Sequence, residues 1–280
     1  MVVFPCSKIN LGLNIVERRP DGYHNIETVF YPIPLHDNLE VESAKNATQP
    51  YLLHLSGLHL DNADSQHNLV IKAFNSVRDD YQQIPPVEIW LHKRIPSGAG
   101  LGGGSSDAAF MMRLLNEKYH LEMSNEDIEY RLSRLGADCP FFYKAQPTFA
   151  TGIGNQLMPI DFDLGGYVLL LVKPDIHVST RDAYALVCPK PSRESLLYSL
   201  SRPIETWRET VKNDFEHSVF QQHPEIAAIK QTLYDMGAVY ASMSGSGSCV
   251  FGLFTRSRLE AEEIFPDCFV YETRLRFQAI

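Results

Sequence analysis

Between Pro96 and Ala109 the chain reads Pro-Ser-Gly-Ala-Gly-Leu-Gly-Gly-Gly-Ser-Ser-Asp-Ala-Ala, with glycine at five of nine consecutive positions from Gly98. Glycine loses more conformational freedom on folding than any other residue and adds no buried side chain. Packing is therefore a poor reason for such density, and the segment reads as one whose backbone N–H groups must come close to something. Ser105, Ser106 and a run of Ala, Phe, Met and Leu come next, and they predict a helix from Ser105. The preceding residues, Val87 to Ile95, alternate like a half-buried strand. Strand, glycine loop and helix in that order suit a phosphate held at a helix N-terminus, where first-turn N–H groups lack partners and the dipole favours an anion.

Known phosphate loops narrow the reading. A Walker A loop needs a lysine that residues 98–106 do not contain. Gly98, Gly100 and Gly103 satisfy the spacing of the dinucleotide fingerprint. That unit, however, needs a strand ending in an acidic residue ~20 residues on, and Asn125–Leu135 instead reads as a second helix. A ligand-free glycine turn would be costly before a helix. A nucleotide-triphosphate loop of another type remains. The second glycine–serine loop, Ser242–Ser248, lies between two apolar strands and reads equally well as a hairpin turn. Beside a phosphate loop it gains meaning as a second close-approach surface.

Composition excludes several partners. The 280 residues carry a formal charge of −9, from 34 acidic and 25 basic side chains, and no run of lysine or arginine. Sequence-independent nucleic-acid binding needs phosphate neutralisation, so no nucleic-acid partner is expected. The five cysteines are odd in number and form no CxxC pair, which points to reduced thiols in a cytosol. No apolar run reaches the ~18 residues of a membrane span, and the N-terminus lacks a signal-peptide pattern. The expectation is a cytoplasmic protein without a membrane partner.

Along the chain, strands are predicted at 2–16, 26–33, 38–43, 51–56 and 86–94, with helices at 69–81, 105–119 and from Ser124 to just before Gly136. Arg18–His24 is a turn around Pro-Asp-Gly. Residues 136–142 interrupt regular structure, and short strands at 147–152 and 156–160 lead to an apolar central strand, 167–172. Residues 192–236 are mostly helical in period, then come strands 238–243 and 249–254, a helix over 257–265 and a strand over 268–275. The pattern is α+β, with a domain boundary near residue 155 where Gly152 and Gly154 break it.

Two charged residues sit in apolar surroundings. Asp138 lies between Ala137 and Cys139-Pro140-Phe141-Phe142, where a helix cap or turn is the plainer explanation. Burying it as an isolated carboxylate would be costly unless it were paired. Lys8 interrupts an apolar strand, which indicates a sheet edge or a partner. They form the one acid–base couple that burial context singles out. Among the ten histidines there is no HExxH spacing, and no GxSxG elbow is present.

Taken together these segments resemble the GHMP kinase superfamily, whose motifs would be Lys8–Leu11, Pro96–Ala109 and Ser242–Ser248. Within it the similarity is greatest to members that phosphorylate a hydroxyl of a cytidine-diphosphate-linked acceptor on the non-mevalonate route to isoprenoid precursors. The carrying segments are Lys8–Asn10, Arg19–His24, Asn68-Leu69, Lys93, Gly98–Ala109, Gly136–Phe142, Thr151–Gly154 and Val178–Thr180. Residues 190–235 match weakly apart from Asn213-Asp214-Phe215-Glu216.

The resemblance implies a two-domain fold, with a ribosomal protein S5 domain 2-like ATP-binding part over 1–155 and a ferredoxin-like part over 156–280. It implies Asp138 as catalytic base with Lys8 as its charged partner. Pro96, Gly98, Ala99, Gly100, Leu101, Gly102, Gly103, Gly104, Ser105 and Ser106 would hold the phosphates of ATP, with Asn68, Leu69 and Lys93 near the adenosine. Asn10, Tyr23, His24, Tyr184 and Ser246 would bind the acceptor, with His24, Tyr23 and Tyr184 around its cytosine. ATP and Mg²⁺ are implied, with the metal ligands unassigned, and the chain would act as a monomer or weak homodimer. A homoserine- or mevalonate-type kinase of the same superfamily, or a catalytically silent nucleotide-binding relative, are the alternatives.

Overall fold

Alternation builds the first sheet, and a computed structural model of the protein describes it within residues 1–44, 48–58, 68–191, 194–258 and 260–276. The elements begin with β1 (Val2–Val3), β2 (Cys6–Arg18), β3 (His24–His36), β4 (Asn38–Ser43), β5 (Tyr51–Gly57), α1 (Leu69–Arg78) and β6 (Val87–Lys93). Then come α2 (Gly103–Lys118), α3 (Asn125–Leu135), α4 (Cys139–Lys144), β7 (Thr148–Thr151), β8 (Gln156–Pro159) and β9 (Val168–Pro174). Beyond β9 lie the helices α5 (Thr180–Tyr184), α6 (Leu196–Ser201), α7 (Trp207–Thr210), α8 (Phe215–Gln222) and α9 (Pro224–Asp235). The last elements are β10 (Tyr240–Met243), β11 (Val250–Phe254), α10 (Ala261–Ile264) and β12 (Cys268–Arg274).

By contact the chain divides into two compact units that interleave along the sequence. Met1–Ser7, Leu35–Ser97 and Gly102–Ala145 form the first, and Lys8–Pro34, Gly98–Leu101 and Gln146–Ile280 the second.

In the first unit β1, β4, β6 and β5 make a sheet in that order, with β4 antiparallel and β5 parallel to β6. Strand β6 buries Val87, Ile89 and Leu91 and turns Trp90 and His92 outward, the period-two pattern of a sheet with one covered face. Helix α1 starts where Asn68 accepts the Val70 N–H at 2.9 Å, and it buries Val70, Ile71, Ala73, Phe74 and Val77. Helix α2 buries Ala108, Ala109, Met111, Met112, Leu114 and Leu115 and packs on α1 and α4. Helix α3 is capped by Ser124, with Glu126 and Asp127 in its first turn as the dipole favours. Helix α2 is thus succeeded by further helix in this unit, and not by the acid-ended strand of a dinucleotide fold.

Two short helices depart from the sequence expectation. Residues 136–142 are predicted to break regular structure, yet α4 occupies Cys139–Lys144 with a proline in its first turn, where the missing N–H costs nothing. Six residues are too few to display a helical period. Helix α5, five residues behind a Ser179 cap, escapes the sequence pattern for the same reason.

The second unit holds two sheets, β2–β3–β7–β8 and β10–β11–β9–β12. Every residue of β9 is buried, as expected for a central strand, and it pairs antiparallel with both β11 and β12. Leu13 and Ile15 of β2 share a core with Val168, Leu170 and Val172 of β9, Phe215 and Val219 of α8, and Ile226 and Leu233 of α9. Each such burial contributes roughly 1.5–3 kcal/mol. Strand β2 lies at a sheet edge, so Lys8 sits in one of the two settings that a lysine in an apolar strand predicts.

Candidate active site

The helix start after the glycine loop is open. Gly102 takes φ +72° at the N-cap of α2 and supplies no side chain to its first N–H groups, and no acid stands in the first turn. The helix begins at Gly103, two residues earlier than the sequence suggests, because glycine tolerates both conformations. Ser106 Oγ is wholly buried in this first turn and has no hydrogen-bond partner among the described residues.

Packing explains most of the glycines but not all. A Cβ on Gly100 would stand 1.9 Å from the Ser244 carbonyl oxygen, and one on Gly103 2.9 Å from Ile95 Cγ2. A Cβ on Gly104 would meet only Leu69 Cδ1 at 3.7 Å, an ordinary contact, and Gly104 is exposed with no left-handed φ. Gly104 is thus the glycine that this fold does not itself require.

The two glycine loops meet within the second unit. Ser244 Oγ donates to the Gly100 carbonyl at 2.9 Å, and the Cys249 N–H donates to Ala99 O at 3.2 Å. Lys8, 3 % exposed, donates from Nζ to the same Gly100 carbonyl at 2.9 Å and to Asn10 Oδ1 at 2.6 Å. The Lys8 ammonium also lies 5.1 Å from the Phe30 ring centroid. Asn10, equally buried, turns its amide N–H to Thr28 Oγ1 at 2.9 Å. Ser246 is half-buried in the second loop.

Behind Gly103, Lys93 pairs with two buried carboxylates, Asp37 and Asp107. Asp37 also accepts the N–H groups of Arg94 at 2.5 Å and Ile95 at 2.8 Å, which pins the end of β6. Burial alone would pull the Lys93 ammonium down; Asp107 and Asp37 outweigh it and hold it above its ordinary value. Burial pushes the Asp107 carboxyl up to about 7 against the pull of Lys93, and its Oδ1 has no partner among the described residues. The sequence singles out neither acid: Asp37 carries no local motif, and Asp107, though inside Pro96–Ala109, gives no sign there that its carboxylate meets Lys93.

Asp138 stands at the N-cap position of α4, half-buried, and makes no side-chain cap bond. The thiol of the next residue, Cys139, meets the Ser105 hydroxyl, so the start of α4 adjoins the first turn of α2. Burial raises that thiol to about 11, and with all five cysteines free, none of the three buried ones is a ready thiolate.

The aromatic residues come together. His24 stacks on Tyr184 with centroids 4.6 Å apart and planes 19° apart, and Phe215 meets Tyr184 edge-on at 4.7 Å. Burial, aided by Arg18, holds the His24 imidazole below its ordinary value. Tyr23 beside it is 61 % exposed. Asn68 uses Oδ1 to cap α1, and Leu69 reaches Gly104. Pro96, Ala99 and Leu101 are buried, whereas Gly98 is exposed at φ +61°.

Residues 68–146 match the GHMP kinases N terminal domain and residues 196–265 the GHMP kinases C terminal domain, and the chain belongs to this kinase family. It is 52 % identical over 99 % of its length to the whole of the 4-diphosphocytidyl-2-C-methyl-D-erythritol kinase of Bacteroides fragilis. The kinase of the same name from Parabacteroides distasonis is 51 % identical over 98 % of this chain and all of its own. A crystal structure of 4-(cytidine 5'-diphospho)-2C-methyl-D-erythritol kinase superposes with a TM-score of 0.83 at 30 % identity, over 97 % of this chain and 98 % of that one.

Two substitutions in the glycine loop should part company. Gly104→Ala keeps the fold, since helical glycine to alanine is worth about 0.5–1 kcal/mol in favour of the helix, but should weaken ATP binding at least about tenfold, a loss of ~1.4 kcal/mol. Gly100→Ala should unfold at lower urea instead. Calorimetric ATP titration beside urea melts checks both; unchanged ATP affinity in Gly104→Ala contradicts the phosphate site.

Asp107 gives a second test. Between its ordinary 3.8 and about 7 the folded protein holds a proton there that the unfolded chain has released, so this group's stability contribution falls as pH rises through that window. Asp107→Asn, neutral throughout, should lose that downward slope in urea melts across the same range. An unchanged pH slope contradicts the buried-acid assignment.

Proposed function

We propose that the chain transfers the γ-phosphoryl group of ATP to the 2-hydroxyl of 4-diphosphocytidyl-2-C-methyl-D-erythritol, in the non-mevalonate route to isoprenoid precursors. The observation that carries the ATP half is the open start of α2 with Gly104 exposed and not required by packing. The names of the full-length relatives supply the acceptor.

Phosphoryl transfer passes through a loose transition state, so positioning and charge stabilisation dominate. The N–H groups of Gly103, Gly104 and Ser105 face the phosphates, and the dipole of a 16-residue helix favours their charge. Among the described residues no group of three or more His, Cys, Asp or Glu could hold a metal ion. A magnesium ion carried by ATP needs only one or two protein oxygens, and the partnerless Ser106 hydroxyl fits that demand. Bound there, Mg²⁺ would neutralise phosphate charge.

Asp138 takes the proton of the attacking hydroxyl, and Lys8 offsets charge on the transferred group. Asn10 fixes the Lys8 ammonium. Since His24 and Tyr184 already stack on each other, cytosine packs on an outer ring face beside Tyr23 and not between the two. Ser246 completes the acceptor side, and Asn68, Leu69 and Lys93 the adenosine side. The enzyme works as a monomer or weak homodimer in the cytosol. Its charge of −9 argues against a nucleic-acid partner, and no helix among the described residues is long and apolar enough to cross a membrane.

A positioned base contributes ~10²–10⁴-fold, so Asp138→Asn should lower kcat by that factor. ATP affinity should stay nearly intact. Steady-state kinetics with calorimetric ATP titration decides; a kcat within about threefold of wild type removes Asp138 from the base role.

A further inference from the structure

The one matching segment of the weak stretch 190–235, Asn213-Asp214-Phe215-Glu216, has no part in the chemistry above. We infer that it is a positioning element for Lys8, acting through Ser244 and Gly100. The inference rests on the proposed catalytic role of Lys8.

Asn213 is 3 % exposed and uses its whole amide: Nδ2 donates to Met243 O at 2.7 Å and Gly245 O at 2.9 Å, and Oδ1 accepts the Phe215 N–H at 3.0 Å. Two carbonyls can only accept, so the amide orientation is forced. Glu216 Oε1 accepts the Met243 N–H at 2.9 Å and the Ser242 hydroxyl at 3.1 Å, while Oε2 pairs with Lys230 at 2.6 Å. Both backbone polar groups of Met243 and the carbonyl of Gly245 are therefore held by side chains of this segment. They bracket Ser244.

Ser244 is fully buried, and it touches the groups that hold Lys8. Its Oγ donates to the Gly100 carbonyl at 2.9 Å and accepts the Asn10 N–H at 3.3 Å. Gly100 O and Asn10 Oδ1 are both acceptors of the Lys8 ammonium. The same segment also grips the strand that carries Lys8. Asp214 Oδ2 accepts the Ile15 N–H at 2.7 Å, the Asp214 N–H donates to Leu13 O at 2.8 Å, and Leu13 N–H donates to Lys212 O at 2.8 Å. One stretch of chain thus fixes β2 from one side and the second glycine loop from the other, and the Lys8 ammonium is set between Asn10 and Gly100. Buried networks of this kind are worth more than their separate bonds because each member orders the next.

Ser244→Ala is the test, because it removes one hydroxyl and leaves the fold; Asn213→Ala strips three buried hydrogen bonds and serves only as a stability comparison. In the wild-type background Ser244→Ala should lower kcat about tenfold, with KM for ATP moved less than about twofold. In a Lys8→Ala background the same change should have almost no further effect. Independently of turnover, the Lys8 ammonium resonance in ¹⁵N-lysine-labelled protein, assigned by its loss in Lys8→Arg, should shift in Ser244→Ala. An unmoved resonance, or an effect on kcat that is additive with Lys8→Ala, overturns the positioning role. Failure of the wild type to phosphorylate the proposed acceptor removes the substrate reading, and the resonance then still decides this one.

Discussion

A carbonyl oxygen occupies the place where a side chain at position 100 would begin. Ser244 O lies 1.9 Å from the Cβ that any other residue would carry there, so the two glycine loops approach backbone to backbone only because position 100 is glycine. Gly245 answers from the other loop, where a Cβ would stand 3.2 Å from Gly100 Cα. That approach brings the Gly100 carbonyl to the Ser244 hydroxyl and the Lys8 ammonium together. Without it Lys8 would lose an acceptor in a setting where an ammonium ion, 3 % exposed, needs each one.

The density of glycine from Gly98 therefore has more than one cause. In the sequence it reads as a sign of a ligand, because glycine adds no buried side chain. Contact with Ser244 and Ile95 accounts for Gly100 and Gly103, and positive φ accounts for Gly98 and for Gly102 at the N-cap of α2. Only Gly104 is left for a ligand to explain. One exposed glycine on an uncapped helix is a narrower basis for a phosphate site than five glycines.

Buried charge in the first unit obeys a similar rule. Lys93 is offered two carboxylates, and only one negative charge can be balanced in so little solvent. Asp37 accepts two backbone N–H groups, whereas Asp107, whose Oδ1 has no partner among the described residues, is pushed by burial towards its neutral form. This network fixes the end of β6 and underlies Gly103, so its order is transmitted to the helix start. Removing one partner of such a group typically costs ~3–5 kcal/mol, which is why the arrangement is held so tightly.

Local signals are legible where the chain repeats them: alternation in β6, the Asn68 and Ser124 caps, and the all-apolar run of β9. Helices α4 and α5 are not, since six and five residues give no period. Lys8 is visible because a lysine contradicts an apolar strand, but its acceptors at Asn10 and Gly100 come from the fold. The stacking of His24 on Tyr184 and the pairing of Lys93 with Asp37 join residues far apart in sequence, which no single window can show. The full-length relatives name the acceptor, and the loop geometry supports only the ATP half. ADP release measured side by side with 4-diphosphocytidyl-2-C-methyl-D-erythritol, homoserine and mevalonate as acceptors tests the whole account most directly. Turnover with the first alone is the predicted result; turnover with either of the others, or with none, contradicts it.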